Sequence, residues 1–239
     1  MKKIIHKSNT RGHTNMGWLD SYHSFSFGDY FNRERINFGA LRVINDDLVA
    51  PGMGFGTHHH DNMEIISIPL EGVLEHRDSM NNVSLIKKGE IQVMSAGSGV
   101  YHSEYNKSED SPVKFLQIWV FPDSKDVNPR YDHKKIDLES SKNKLLQILS
   151  PDSNDEGVWI HQKAWFNIGS FDANQSIDYS LKNRQNGVYL FIISGEIEID
   201  GMSAQTRDGI GITESENLKI NVVKPTEILI MEVPMIKGY

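Results

Sequence analysis

Two stretches of this chain bring metal-binding residue types together at strand spacing. The first reads Gly54-Phe55-Gly56-Thr57-His58-His59-His60-Asp61-Asn62-Met63-Glu64, and the second Gly97-Ser98-Gly99-Val100-Tyr101-His102-Ser103-Glu104-Tyr105-Asn106. Along an extended strand, side chains two residues apart share a face. His58 and His60 therefore point one way and His59 the other, and His102 and Glu104 form a second same-face pair. If the two strands neighbour each other, three imidazoles and one carboxylate meet. Such a set suits a divalent first-row metal with coordination positions left open for a substrate. The ligands alone do not choose between iron and nickel, copper, manganese, cobalt or zinc. A single His-x-His is more often a surface accident than a ligand pair. Two such pairs, each after a Gly-rich turn, tip the balance towards a metal site.

Positioning these side chains requires strands, and the chain reads as mostly β. Runs such as Phe115-Leu116-Gln117-Ile118-Trp119-Val120-Phe121, Val188-Tyr189-Leu190-Phe191-Ile192-Ile193 and Glu227-Ile228-Leu229-Ile230-Met231-Glu232-Val233 are β-branched and aromatic, with turn residues between them. No long segment keeps a 3.6-residue apolar period. Many short strands with frequent turns indicate an all-β sandwich or barrel. The polar stretch 132–144 reads as a linker, dividing the chain into residues 1–136 and residues 137–239. A loose repeat supports two similar units. Pro69 to His76 followed by Lys87-Lys88-Gly89-Glu90-Ile91 parallels Ile193 to Ile199 followed by Arg207-Asp208-Gly209-Ile210-Gly211-Ile212. In each copy, strand, Gly turn, strand and charged-Gly turn lead to a closing apolar strand.

Composition excludes several function classes. The 239 residues carry 25 basic and 32 acidic side chains, a formal net charge of −7, against wrapping nucleic acid or an anionic membrane. With no cysteine, there is no disulfide, thiolate nucleophile or zinc ribbon. Met1 to Lys7 lead into polar sequence rather than an apolar signal core, and no apolar run approaches a membrane span, so a cytoplasmic protein is expected.

The first His stretch with Gly72 resembles cupin motif one. Gly89 to Asn106 resembles cupin motif two, including the Gly99-x-x-His102 spacing and Asn106 four residues further on. Other strings are similar to those of the pirins, in particular the bacterial pirin-like quercetin dioxygenases. These are Gly17-Trp18-Leu19-Asp20-Ser21-Tyr22-His23-Ser24-Phe25-Ser26-Phe27, Arg42-Val43-Ile44-Asn45-Asp46-Asp47, Glu75-His76-Arg77-Asp78-Ser79-Met80 and Met94-Ser95-Ala96-Gly97. The resemblance implies a bicupin, two tandem cupin β-barrels in one chain. It implies a metal, Fe(II) first among the candidates, in the N-terminal barrel only, held by His58, His60, His102 and Glu104. His59 departs from the pattern, where Pro is frequent. Glu64 has the parity of His58 and His60 and stands as the reserve ligand, because many other cupins use a Glu near that position. The N-terminal segment and the chain end are implied to brace the opposite domains.

The implied activity is a metal-dependent dioxygenase, an oxidoreductase that opens a flavonol such as quercetin with dioxygen and releases carbon monoxide. Glu104 would take the proton of the flavonol 3-hydroxyl as general base, in a barrel mouth lined by Met53 and Phe55. The alternative is a non-enzymatic, redox-responsive pirin that regulates a protein partner through the same metal. Two barrels in one chain supply the pairing that single cupins obtain by dimerising, so a monomer is expected. The second half carries only His161 and no histidine from Gly209 to Asn221, and is expected to be metal-free. His23 reads as a hydrogen-bonded core histidine and His76 as a structural turn residue. Trp18, Trp119, Trp159 and Trp165 read as packing residues.

Overall fold

The computed structural model describes residues 1–236, apart from the side chain of Ser141. The first twelve strands are β1 (Lys2–His6), β2 (Gly12–Asn15), β3 (Leu19–His23), β4 (Leu41–Val49), β5 (Gly54–His60), β6 (Glu64–Glu71), β7 (Val73–Asp78), β8 (Val83–Lys87), β9 (Glu90–Ser95), β10 (Val100–Asn106), β11 (Val113–Val120) and β12 (Arg130–Lys135). Eight follow: β13 (Leu146–Ser150), β14 (Val158–Trp159), β15 (Trp165–Phe171), β16 (Ser176–Ser180), β17 (Asn186–Ile199), β18 (Met202–Gln205), β19 (Gly209–Thr213) and β20 (Asn217–Pro234). Among the described residues the helical segments are two 3-10 turns, Ser8–Thr10 and Glu139–Ser141. Among the described residues no helix is long and apolar enough to cross a membrane.

Two β-barrels result. A seven-stranded sheet, β12-β9-β6-β11-β4-β3-β2, and a four-stranded sheet, β5-β10-β7-β8, enclose the first. A nine-stranded sheet, β1-β19-β17-β20-β15-β13-β14 with β18 beside β17 and β16 beside β20, wraps the second. The barrels meet through a shared apolar core. Leu116, Ile118 and Val120 of β11 pack in it with Tyr189 and Phe191 of β17 and Leu229, Met231 and Val233 of β20. The alternate residues Leu190, Ile192, Ile228 and Ile230 fill the second barrel. These strands are buried on both faces, so their sequences read as continuous apolar runs rather than alternating ones. Each such side chain stabilises the packed state by roughly 1.5–3 kcal/mol relative to exposure.

The polar stretch expected to be a linker is partly strand. Residues 132–135 pair with β9 at the edge of the seven-stranded sheet, where Asp132↔Val93 and Lys134↔Ile91 are partners. An edge strand with one free side tolerates charge that a central strand does not, which explains its loop-like composition. The chain also exchanges straps. β1 pairs with β19, from Lys2↔Thr213 to His6↔Gly209. In return, the Pro234 carbonyl accepts a hydrogen bond from Ala40 at 2.9 Å.

The two expected Gly turns are corners where a strand passes from one wall to the other. Gly72 (φ +79) separates β6, in the seven-stranded sheet, from β7, in the four-stranded one. Gly195 (φ +98) sits inside β17, where register shifts flank Ser194. A Cβ on Gly72 would lie 2.8 Å from the Pro112 carbonyl, and one on Gly195 would lie 2.2 Å from the Pro225 carbonyl. The repeat is therefore physical: both corners are pressed against the closing strand, Gly72 just before β11 begins and Gly195 within β20. Gly195→Ala, far from the histidines, is expected to lower the unfolding free energy by about 2 kcal/mol or more, from positive φ and backbone overlap together. A thermal melt unchanged from the parent's would refute the corner's role.

Candidate metal centre and its cavity

The antiparallel β5–β10 ladder sets His58 directly opposite His102, and His60 opposite Val100. The register then shifts, so that Glu104 faces Phe55 and the extra residue lies in β5 at Gly56–Thr57. A bulge of this kind releases a carbonyl from the ladder and re-aims the next side chain. Here the Gly56 carbonyl accepts a hydrogen bond from His58 Nδ1 at 2.7 Å. That bond places the His58 proton on Nδ1 and leaves Nε2 as a lone pair. His58 Nε2 lies 3.0 Å from His102 Nε2. One nitrogen of each of His58, His60 and His102 falls within a mutual 4.8 Å. Two ring nitrogens 3.0 Å apart, as in His58 and His102, need a shared proton or a shared cation between them. The donor set thus fits a divalent metal.

Burial keeps His60 and His102 in the neutral form that ligation needs. The pKa of His102, which is 2 % exposed, is pushed down to about 2 by burial, with the neighbouring His58 and His60 adding like charge. Burial and His58 lower His60 to about 4. Glu104 is 1 % exposed, and burial raises its pKa to about 7 against three hydrogen-bond donors. Ser67 Oγ and Gln92 Nε2 each donate to Oε1 at 2.9 Å, and Gln117 Nε2 donates to Oε2. Trp119 Nε1 in turn donates to Gln117 Oε1 at 3.2 Å.

His59 points outwards, its ring 4.9 Å from that of Tyr101. Glu104 does not join the three-His group at that spacing. Its carboxylate instead groups with His76 and His102. His76 is not a turn residue. It lies in β7 opposite Glu104, fully buried, with Nε2 3.0 Å from Asp78 Oδ2 and its ring stacked on Tyr131. The alternation of buried Leu74 and His76 with Glu75 and Arg77 was the available signal. Glu64 is elsewhere: Ser95 Oγ donates to its Oε2 at 2.6 Å, and it belongs to neither group of possible ligands. The parity count failed because Asn62 (φ 46) turns the chain between β5 and β6.

A cavity of about 510 Å³ opens beside the histidines, lined by His58, His60, Glu104 and Gln117 and by Trp18, Phe27, Phe55 and Trp119. Trp18 and Trp119 are thus cavity walls and not only packing residues. Trp119 stands edge-on to His60 at 5.0 Å, and Trp18 edge-on to Phe55 at 5.4 Å. Met53 lies outside the lining and is 43 % exposed. The core of the second barrel includes Ile197, Ile210, Leu218 and Ile220.

Comparison with known proteins places these features in a family. The family model described as Pirin matches residues 5–120, and that of the quercetinase C-terminal cupin domain matches residues 147–233. The chain is 39% identical over 231 residues to the quercetin 2,3-dioxygenase of Escherichia coli K12, covering 96% of this chain and 98% of that one. The crystal structure of YhhW from Escherichia coli matches with a TM-score of 0.94 at 36% identity, covering both chains completely. A nickel(II) complex of that bacterial pirin matches with a TM-score of 0.92 at 36% identity, over 98% of this chain and 100% of the other. Both halves of the chain accordingly have the cupin fold, which makes it a bicupin.

Proposed function

The chain belongs to the pirin family, and from that premise we propose that it is a divalent-metal dioxygenase, an oxidoreductase that cleaves flavonols such as quercetin with release of carbon monoxide. The observation that carries this reading is a buried carboxylate beside three imidazoles at the wall of an aromatic-lined cavity. The proposed ligands are His58, His60, His102 and Glu104, with Fe(II) as the native ion. We assign the metal-binding unit to residues 1–136 and the metal-free unit to residues 137–239. The cavity favours an enzyme over a redox-responsive regulator, because a sensor acting through a protein partner needs no room for a flat ligand.

A divalent metal held there supplies a Lewis acid that lowers the pKa of a hydroxyl brought to it. The chain's own groups do the rest. Trp119 and Phe55 line the cavity and would pack against a planar substrate. Gln92, Ser67 and Gln117 hold the Glu104 carboxylate fixed. Beyond the Gln117 bond, Oε2 keeps one lone pair, from which it can ligate in the resting site or take the hydroxyl proton of the substrate. The test is oxygen uptake and carbon monoxide release with quercetin, on metal-loaded and chelator-treated protein. Equal rates in the two preparations, or no uptake in either, would overturn the reading.

The raised pKa of Glu104 gives this site a pH dependence. A carboxyl that holds its proton up to about 7 must release it before it can ligate. Metal affinity is therefore expected to rise between about pH 6 and pH 8 and to level off above. Chelator competition across that range measures it. Glu104→Gln should flatten the rise, and a rise of undiminished slope in that variant would assign the proton elsewhere.

A further inference from the structure

The seven-stranded sheet presents one transverse row of inward polar side chains. In register across five strands these are Gln92, Ser67, Gln117, Asn45 and His23. The first three are engaged by Glu104. The rest of the row makes no bond to the metal centre. His23 Nδ1 donates to Asn45 Oδ1 at 2.8 Å, and Thr14 Oγ1 donates to His23 Nε2 at 3.0 Å. Asn45 thereby spends its acceptor and keeps its Nδ2 amide as a donor, unmatched among the described residues. One step along β4, paired with Ser21, stands Asp47, 3 % exposed. Ser21 Oγ donates to Asp47 Oδ1, and no described residue donates to Oδ2. Ser21, His23, Asn45 and Asp47 all line the same cavity as the histidines.

A buried carboxyl with a single hydroxyl donor is costly unless something else completes its hydrogen bonds. Among the described residues no group pairs with Asp47 Oδ2 or Asn45 Nδ2, and both residues line the cavity. Two residues apart on one strand face, they offer an acceptor beside a donor. That pattern matches a phenolic hydroxyl with a second oxygen next to it. We propose that Asp47 and Asn45, braced by Ser21 and His23, form a second recognition subsite, which binds a phenolic hydroxyl of the substrate other than the one presented to the three imidazoles. The subsite rests on the flavonol reading above and narrows it. The preferred substrates are polyphenols hydroxylated on more than one ring position, and a flavonol with the single 3-hydroxyl is a poor ligand.

The experiment is anaerobic titration of metal-loaded protein, followed by quenching of the fluorescence of Trp18 and Trp119, which line the cavity. The probes are quercetin and 3-hydroxyflavone, which keeps the metal-facing hydroxyl and lacks the others. The parent should bind quercetin at least about tenfold more tightly. Asp47→Ala should weaken quercetin by about 10- to 100-fold and 3-hydroxyflavone by less than about threefold. Asp47→Asn, which keeps the size of the side chain, should show the same selective loss and decides the matter alone if the alanine variant does not fold. Equal weakening of both probes, or none, would overturn the subsite. If the parent binds neither flavonol, the flavonol reading fails, and 4-methylcatechol then tests the wall by itself. Binding of that probe weakened by Asp47→Ala upholds the subsite, and absent or unaltered binding sinks it.

Discussion

His58→Ala is expected to strip the metal and abolish turnover while leaving the barrel folded. His58 is half-buried at the cavity edge, and its Nε2 faces His102 Nε2 at 3.0 Å. The loss of even an outer hydrogen-bond partner of a ligand lowers metal affinity by about 10- to 100-fold. Loss of the ligand itself should exceed the upper end of that range. Elemental analysis of protein purified without a histidine tag measures it, with a thermal melt as the folding control. The control substitution is His59→Ala. Its ring is exposed and faces Tyr101, so metal content should stay at the parent's level. If His59→Ala strips the metal and His58→Ala does not, the assignment of faces on β5 is wrong.

Glu104→Gln should retain part of the metal and lower flavonol turnover by about 10²- to 10⁴-fold, the usual worth of a positioned general base. The amide is nearly the size of the carboxyl, so the cavity keeps its shape. It cannot take a proton, and its NH2 would confront the donors Gln92, Ser67 or Gln117. Steady-state oxygen uptake on metal-matched samples separates lost chemistry from lost metal. Parent-level turnover in that variant would remove Glu104 from the proton transfer.

The site was legible in the chain where strands run without interruption. β10 pairs continuously with β7, so the shared face of His102 and Glu104 follows from spacing alone. It was illegible where the backbone breaks its period. The Gly56–Thr57 bulge and the turn at Asn62 are local conformations that period-two counting cannot carry through. The count therefore overreached at Glu64. His76 was missed for a different reason. Its role depends on which strand lies across from Glu104, and that is a long-range pairing. The aromatic walls hid in the same way. Trp119 sits in a run buried on both faces, and nothing local says that one face is a packed core and the other a cavity. Both barrels, and the glycine corners that repeat between them, were visible because corners need particular residues.

The exchanged strap between β1 and β19 also has a consequence for how the molecule is made. Lys2 leaves the ribosome well before its partner Thr213. During all the synthesis between them, β1 has no sheet to join, and the barrel that holds the histidines must wait with its side of the shared apolar core uncovered. Contacts of such high sequence separation form slowly, and an unpaired strand is a site for misassembly. A chain truncated before β19 should therefore aggregate rather than yield a soluble metal-binding half. Refolding of the whole chain should show a late phase in which docking of the N-terminal strand coincides with the second barrel's closure.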